Sequence, residues 1–234
     1  MNKVFIETYG CQMNVYDSEL VLSILKKEGY ELCDSIESAD LILVNTCSIR
    51  ENAEQRVWGR LDHFLQEKRK RQDLIVGVLG CMAERVKEKL LEHPVVNIVA
   101  GPDTYRTLPK MISDIRENAK QMNIQLSRYE TYADITPVRT DKNGVSAFIS
   151  IMRGCNNMCT YCIVPYVRGS ERSRDPHSIV REATELFEAG YREVNLLGQN
   201  VDSYLWVDPE NPTNTTNFAQ LIELVALVSP KLRV

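Results

Sequence analysis

The chain has 234 residues, 44% hydrophobic and 26% charged, with a formal net charge of -4. That length suits one large domain or two ordinary ones, and the composition excludes a disordered or low-complexity chain. No apolar stretch approaches the roughly 18 residues of a membrane span, and the opening Met1-Asn-Lys-Val-Phe-Ile-Glu-Thr-Tyr9 breaks its hydrophobic run too early for a secretory signal. Seven cysteines, an odd number without an export signal, argue against a disulfide framework and for the reducing cytoplasm, where thiolates are available to metal. The net charge does not advertise nucleic-acid binding. Two local basic segments stand out: Lys68-Arg-Lys-Arg71, expected to be the solvated end of a helix, and Arg168, Arg172 and Arg174 after the last cysteine.

The elements alternate from the start. Val4–Tyr9 is a strand, and Val15–Lys27 an amphipathic helix with Leu20, Val21, Ile24 and Leu25 on its buried stripe. Leu41–Val44 is a continuous apolar strand of the kind that parallel sheets bury on both faces. A long helix, 51–71, places Val57, Leu61, Phe64 and Leu65 on one face, and Trp58 is expected to pack with it. Strand Leu74–Leu79 and a helix from Cys81 to Leu91 follow, then strand Val95–Ala100 and a helix over 105–118. Residues 119–144 lose all periodicity and read as a linker. A second strand–helix series opens with Ala147–Met152, which runs directly into a cysteine loop. Asp175 and Pro176 cap and open a helix that Gly190 ends. Glu193–Leu197 is the next strand, Phe218–Val228 the next helix, and a further strand begins near Lys231. The fold class is therefore α/β: a parallel-sheet domain over 1–118, the linker, and a second β/α unit over 145–234.

Six of the seven cysteines form two groups of three. Cys155, Cys159 and Cys162 lie in Gly154-Cys-Asn-Asn-Met-Cys-Thr-Tyr-Cys162, whose C-x3-C-x2-C spacing suits a loop wrapped around three corners of a 4Fe–4S cube. Gly154 lets the backbone approach closely. Zinc would require a fourth ligand for a closed site, and the nearest histidine, His177, is 15 residues on. Cys11, Cys47 and Cys81 are 36 and 34 residues apart, yet each lies just beyond the end of an expected strand. In a parallel sheet those ends share one edge, where ligands bind. Three thiolates leave the fourth iron of a cube open, and an open metal position can take a substrate. Cys33 falls outside both groups and reads as a spare thiol; Asn14 reads as a cap of the first helix.

The C-x3-C-x2-C loop, with an aromatic before its third cysteine, resembles the signature of radical S-adenosylmethionine (SAM) enzymes. Together with Tyr9-Gly-Cys-Gln-Met-Asn-Val-Tyr-Asp-Ser-Glu19, Asn45-Thr-Cys47, Gly80-Cys-Met82 and Leu197-Gly-Gln-Asn-Val-Asp-Ser-Tyr204, it resembles the methylthiotransferases, closest to the tRNA branch of MiaB type. Members of that family continue through a complete radical SAM barrel into a small RNA-binding TRAM domain. This chain is expected to hold only the first part of the barrel.

The resemblance implies two 4Fe–4S clusters. Cys155, Cys159 and Cys162 would hold the radical SAM cluster, and Cys11, Cys47 and Cys81 an auxiliary cluster carrying the sulfur to be inserted. SAM would be cleaved to a 5′-deoxyadenosyl radical, and a second SAM would supply the methyl group. Gln199, Asn200, Arg172 and Arg174 are candidate SAM contacts; for the arginines, RNA phosphate or plain solvation are the other readings, and for Gln199 and Asn200 a simple turn. The implied reaction converts N6-isopentenyladenosine beside the anticodon to its 2-methylthio form. The implied partners are a tRNA anticodon stem-loop and a low-potential electron donor such as flavodoxin, with the enzyme a cytoplasmic monomer and no membrane involved. A ribosomal-protein methylthiotransferase, a non-catalytic iron–sulfur electron carrier and a zinc-stabilised RNA-binding module are the competing readings.

Overall fold

The computed structural model describes residues 2–47, 51–117, 120–140 and 144–234, with the backbone alone at 51–53, 116 and 117. It divides into two compact units: Met1–Ser127 together with Tyr166–Arg168, and Arg128–Pro165 together with Gly169–Val234.

In the first unit, strands β1 (Asn2–Tyr9), β2 (Tyr30–Leu32), β3 (Leu41–Thr46), β4 (Ile75–Gly80), β5 (Ile98–Ala100) and β6 (Gln121–Asn123) form a parallel sheet ordered β2-β1-β3-β4-β5-β6. Every residue of β3 and β4 is buried, which explains their unbroken apolar runs. Helix α1 (Gln12–Lys27) contributes fully buried Leu20, Val21 and Leu25. Helix α2 (Glu51–Lys70) contributes Val57, Leu61 and Phe64 at helical spacing, and Trp58 packs beside them. Each such side chain stabilises the fold by about 1.5–3 kcal/mol. The chain passes from β1 outward to β2 and then back across to β3, so the direction of winding reverses between β1 and β3. Ligands of open α/β sheets bind at the carboxyl ends beside such a reversal.

Several expectations give way here. Helix α1 begins at Gln12, not Val15, and its N-cap is Cys11; Asn14 is therefore an interior residue of the first turn, fully buried, and not the cap. The helix expected from Cys81 to Leu91 is two, α3 (Cys81–Val86) and α4 (Glu88–Glu92), because Lys87 adopts φ +52° and turns the chain between them. Strand β5 is only three residues long, and the helix after it starts as a 3-10 turn, Tyr105–Thr107, before α5 (Leu108–Glu117). The 119–144 stretch is not all linker: Gln121–Asn123 pairs with Ile98–Ala100 as the sheet's last strand. Nor is the basic end of α2 simply solvated. Arg71 donates to the carbonyls of Ala39 (2.7 Å) and Ile36 (2.8 Å), and Lys68 is bonded to Asn97 Oδ1.

In the second unit β7 (Ser146–Ser150) pairs in parallel with β10 (Glu193–Leu197), and Arg233 bridges Glu193 in parallel on the continuing chain. Helix α7 (Pro176–Glu188) packs Ile179, Ala183 and Leu186 against this pair, and α8 (Phe218–Ala226) adds Leu221 and Val225. Asp175 caps α7 as expected, its carboxylate accepting from the backbone N–H of His177 (3.1 Å) and Ser178 (3.0 Å). The expected strand to Met152 ends at Ser150, and a short strand β8 (Met152–Arg153) precedes the cysteine loop, pairing antiparallel with β9 (Arg172–Ser173) beyond it. A second ribbon, β11 (Leu205–Val207) with β12 (Thr215–Asn217), had no counterpart in the expected elements. Between β8 and β9 lies a short helix, α6 (Val164–Arg168), whose last three residues group with the first unit. Among the described residues, no helix is long and apolar enough to cross a membrane.

Candidate functional site

The first cysteine set is built by strand register. Tyr9 of β1 lies opposite Thr46 of β3, and Thr46 lies opposite Gly80 of β4. Three neighbouring strands therefore end level, with Cys11 two residues beyond the first end and Cys47 and Cys81 one beyond theirs. Cys11 and Cys47 flank the β1/β3 reversal. Cys33 is set apart by the same register: its N–H bonds Val4 O, which puts it level with Phe5, four residues and roughly 13 Å short of the Tyr9 edge at 3.3 Å per residue.

A buried polar network beneath these residues locks the edge. Asn45 at the end of β3 donates to Asn14 O (2.9 Å) and Ser18 Oγ (3.0 Å), and Asn14 Nδ2 returns a bond to Asn45 Oδ1 (3.2 Å). Cys11 Sγ lies 3.1 Å from Asn14 Oδ1, and Thr46 Oγ1 donates to Leu79 O (2.9 Å). A half-made network of this kind would cost more than an apolar one, so its closure specifies one position for the α1 N-terminus. Gly10 completes the approach. It sits at φ +126°, and a Cβ there would lie 2.4 Å from Cys47 Cβ.

The thiols differ in environment. Cys11 is exposed, Cys47 partly buried and Cys81 buried. A hydrogen bond from the Cys47 thiol holds Cys11 down at about 5 although its sulfur, in an otherwise exposed residue, is partly desolvated; the backbone N–H groups of Asn14 and Met13 and the Arg168 charge help. Both groups of N–H donors belong to the first turn of α1, where a thiolate is favoured. Burial pushes the Cys81 thiol up, and the Arg168 guanidinium, with Nε 3.2 Å from its sulfur, opposes that shift.

The second set occupies one loop. Gly154 at φ +75° brings the backbone so close to the returning chain that a Cβ would lie 2.1 Å from Ser170 O, and Cys155 N–H bonds Gly169 O (3.2 Å). Asn157 N–H points at Cys155 Sγ (3.4 Å), and Asn156 Oδ1 accepts from Glu171 N–H (3.0 Å). Cys155 is buried, Cys162 intermediate and Cys159 exposed. Tyr161, 91% exposed, is turned outward with Met158. Among the described residues no group of three or more His, Cys, Asp and Glu is placed to hold a single metal ion. A cube-shaped cluster asks for a different arrangement, with one thiolate at each of three corners.

The arginines are not a solvated patch: Arg168, Arg172 and Arg174 are all buried. Arg174 donates from Nε to Ser178 Oγ (2.9 Å), from one terminal nitrogen to Glu182 (2.5 Å) and Ser150 O (3.3 Å), and from the other to Ser178 O (3.2 Å). Arg139 binds the other oxygen of Glu182 (2.5 Å). Arg174 thus braces α7 against β7. Arg172 lies within the β8/β9 ribbon, opposite Arg153. Gln199 and Asn200 follow the end of β10. Gln199 Oε1 is buried with no hydrogen-bond partner among the described residues, whereas Asn200 O accepts from Ser203 Oγ (2.8 Å) and closes a 3-10 turn. Sequence reading missed the Asn14–Asn45–Ser18 network and the Arg168–Asp17 pair. The Asn45-Thr-Cys47 and Tyr-Asp-Ser segments around them were the available signal.

Two family models match separate stretches of the chain. Residues 3–101 match the model of "Uncharacterized protein family UPF0004", and residues 149–228 that of the "Radical SAM superfamily". The chain is 58% identical over 240 residues to the tRNA-2-methylthio-N(6)-dimethylallyladenosine synthase of Amoebophilus asiaticus, covering 99% of this chain and 49% of that protein. It is 55% identical to the protein of that name from Christiangramia forsetii, covering 99% and 51%, and 53% identical to that of Bacteroides fragilis, covering 99% and 50%. It therefore spans about half the length of the curated relatives it matches. Among solved structures, the radical SAM methyltransferase TsrM of Kitasatospora setae matches with a TM-score of 0.59 at 13% identity, over 86% of this chain and 48% of that one, a likeness of fold alone. Two family models matched in order, and identities above 50% along nearly its whole length, show that the chain belongs to the radical SAM methylthiotransferase family.

Proposed function

We propose that this chain is the cluster-bearing portion of a tRNA methylthiotransferase that converts N6-isopentenyladenosine beside the anticodon to its 2-methylthio derivative. The observation that carries the reading is the level ending of β1, β3 and β4, which delivers Cys11, Cys47 and Cys81 to one edge, while a separate loop carries Cys155, Cys159 and Cys162. The donor chemistry fits: each set is three thiols and no more, Cys11 is acidified, and both loops bring backbone N–H groups to sulfur. When bound, a 4Fe–4S cluster with an open iron supplies a low-potential electron and an anchor for SAM at the second set, and a sulfur donor at the first.

The chain's own residues then have defined tasks. Cys155, Cys159 and Cys162 hold one cluster, and the Gly154 turn fixes that loop against Gly169 and Ser170. Cys11, Cys47 and Cys81 hold the other, at an edge set by the Asn14–Asn45 network. Gln199 Oε1, a buried carbonyl oxygen with no hydrogen-bond partner among the described residues, is placed to accept from SAM, because an orphaned buried acceptor gains from a ligand donor. Asn200 shapes its turn. Arg172 and Arg174 support the strands behind the loop. A tRNA anticodon stem-loop is the substrate, a reduced flavodoxin-like protein the electron source, the cytoplasm the compartment and a monomer the working form.

The test is nucleoside analysis of tRNA from cells lacking the endogenous enzyme. Supplying the full-length protein should restore 2-methylthio-N6-isopentenyladenosine. Restoration of a methylthio group on a ribosomal protein, with tRNA unchanged, would replace this reading by its alternative.

A further inference from the structure

We propose that Arg168 is a positioning residue of the first cysteine set, orienting the Cys81 sulfur and tuning the charge it carries as a ligand. This rests on the reading that Cys11, Cys47 and Cys81 hold a cluster. Although Arg168 lies six residues beyond Cys162 in sequence, it groups with the first unit. Its Nε stands 3.2 Å from Cys81 Sγ, and its Nη2 stands 2.9 Å from Asp17 Oδ2. Asp17 is fully buried in α1, and the same Oδ2 lies 3.5 Å from the Tyr105 hydroxyl. The guanidinium thus turns its Nε–Nη2 edge to a sulfur and a carboxylate at once.

Stability alone is a weak reason for such a pair. Taking an arginine and an aspartate out of water carries a desolvation penalty that their mutual attraction often only offsets, and well-packed apolar replacements are often as stable. The aim of Nε–H is more telling. A neutral thiol is a poor acceptor, whereas a metal-bound thiolate is a charged one, and charge-assisted bonds are roughly twice as strong as neutral ones. A planar, permanently charged guanidinium suits this, since two fixed N–H vectors hold the sulfur's direction relative to Asp17. Hydrogen bonds and positive charge at cluster sulfurs raise the reduction potential, and residues behind the ligands orient them. Arg168 supplies both effects to one corner of the three, so it breaks the equivalence of the corners, favouring electron density at the Cys81 side.

The experiment uses the full chain in a Cys155→Ala/Cys159→Ala/Cys162→Ala background, reconstituted anaerobically, so that only the first set can hold iron. Iron content and the midpoint potential, followed by electron paramagnetic resonance, are measured with Arg168, Arg168→Lys and Arg168→Gln. The expected result is a more negative potential for Arg168→Gln, with Arg168→Lys between it and the parent because it keeps the charge but not the Nε–H. Should Arg168→Gln fail to fold, the Arg168→Lys comparison decides alone. Loss of iron from Arg168→Gln that Arg168→Lys restores would equally support the role. Unchanged iron, potential and spectrum in both variants, or a shift to higher potential, would overturn it. A background chain that binds no cluster would instead overturn the reading on which the proposal rests.

Discussion

The two units solve one problem, placing three thiols, in opposite ways. The second unit writes its set into eight consecutive residues, from Cys155 to Cys162, and a glycine turn holds the loop. The first gathers residues 70 positions apart and relies on three strands ending level. The first site is therefore a property of the whole sheet, and the second of one loop. Damage to the sheet's register should cost the first set its geometry and the unit its stability together, while damage to the loop should cost only the loop's own function.

The largest effects fall on chemistry. In the full-length protein, changing Cys155, Cys159 and Cys162 to Ala should reduce SAM cleavage to the level of the reductant alone, measured as 5′-deoxyadenosine. Changing any one of Cys11, Cys47 or Cys81 to Ala should stop methylthio product while 5′-deoxyadenosine continues to form. Product formation that survives the loss of Cys47 would erase the distinction between the two sets.

Glycine replacements sharpen the contrast in stability. Gly10→Ala meets both a left-handed backbone at φ +126° and a contact of 2.4 Å with Cys47 Cβ. It should destabilise the first unit by about 2–4 kcal/mol in urea unfolding. Gly154→Ala, blocked at 2.1 Å by Ser170 O, should disable SAM cleavage yet leave the first unit's unfolding midpoint where it was. If both variants lowered that midpoint equally, the local character of the second site would be lost.

A third comparison lies within the first unit's edge. Glu84, on α3 and 4% exposed, has an Oε2 with no hydrogen-bond partner among the described residues. Burial pushes its carboxyl up to about 7 from 4.5, with Asp103 adding to the shift and Lys87 opposing it. A raised acid favours the protonated form in the fold, so the group costs nothing below pH 4.5. Its penalty grows between pH 4.5 and 7 and is complete above, at roughly 2–3 kcal/mol. Glu84→Gln should match the parent near pH 4 and exceed its stability increasingly up to pH 8. A constant difference across that range would show that the carboxyl does not titrate there.

The smallest effect belongs to Cys33→Ala. Cys33 lies outside the level edge, partly buried, with its thiol 3.5 Å from Ser35 O. The variant should stay within about 1 kcal/mol of the parent and retain its iron. Iron loss comparable to Cys47→Ala would require a fourth ligand.

Much of this was legible in the amino-acid order, and for physical reasons. Doubly buried strands must be continuously apolar, so β3 and β4 declared themselves, and the alternation with helices placed Cys11, Cys47 and Cys81 on one edge. The second set needed no fold at all, because its spacing is local. Three-residue edge strands such as Gln121–Asn123 carry no alternation to detect. The tasks of Asn14 and Asn45 exist only once α1 lies against β3, and an asparagine before a helix reads equally well as a cap. Arg174 looked like a surface charge because its partner, Glu182, becomes its neighbour only when α7 packs against β7. Arg168 was the hardest of these: its bonding partners are 151 and 87 residues away.

The most direct test of two independent three-thiol sites is metal analysis. Iron and sulfide should be counted in the anaerobically reconstituted full chain, in the Cys11/Cys47/Cys81→Ala variant, and in the Cys155/Cys159/Cys162→Ala variant. Two 4Fe–4S cubes predict about eight irons in the parent and about four in each variant, each with its own spectrum. A variant that kept all the iron, or lost all of it, would contradict the account.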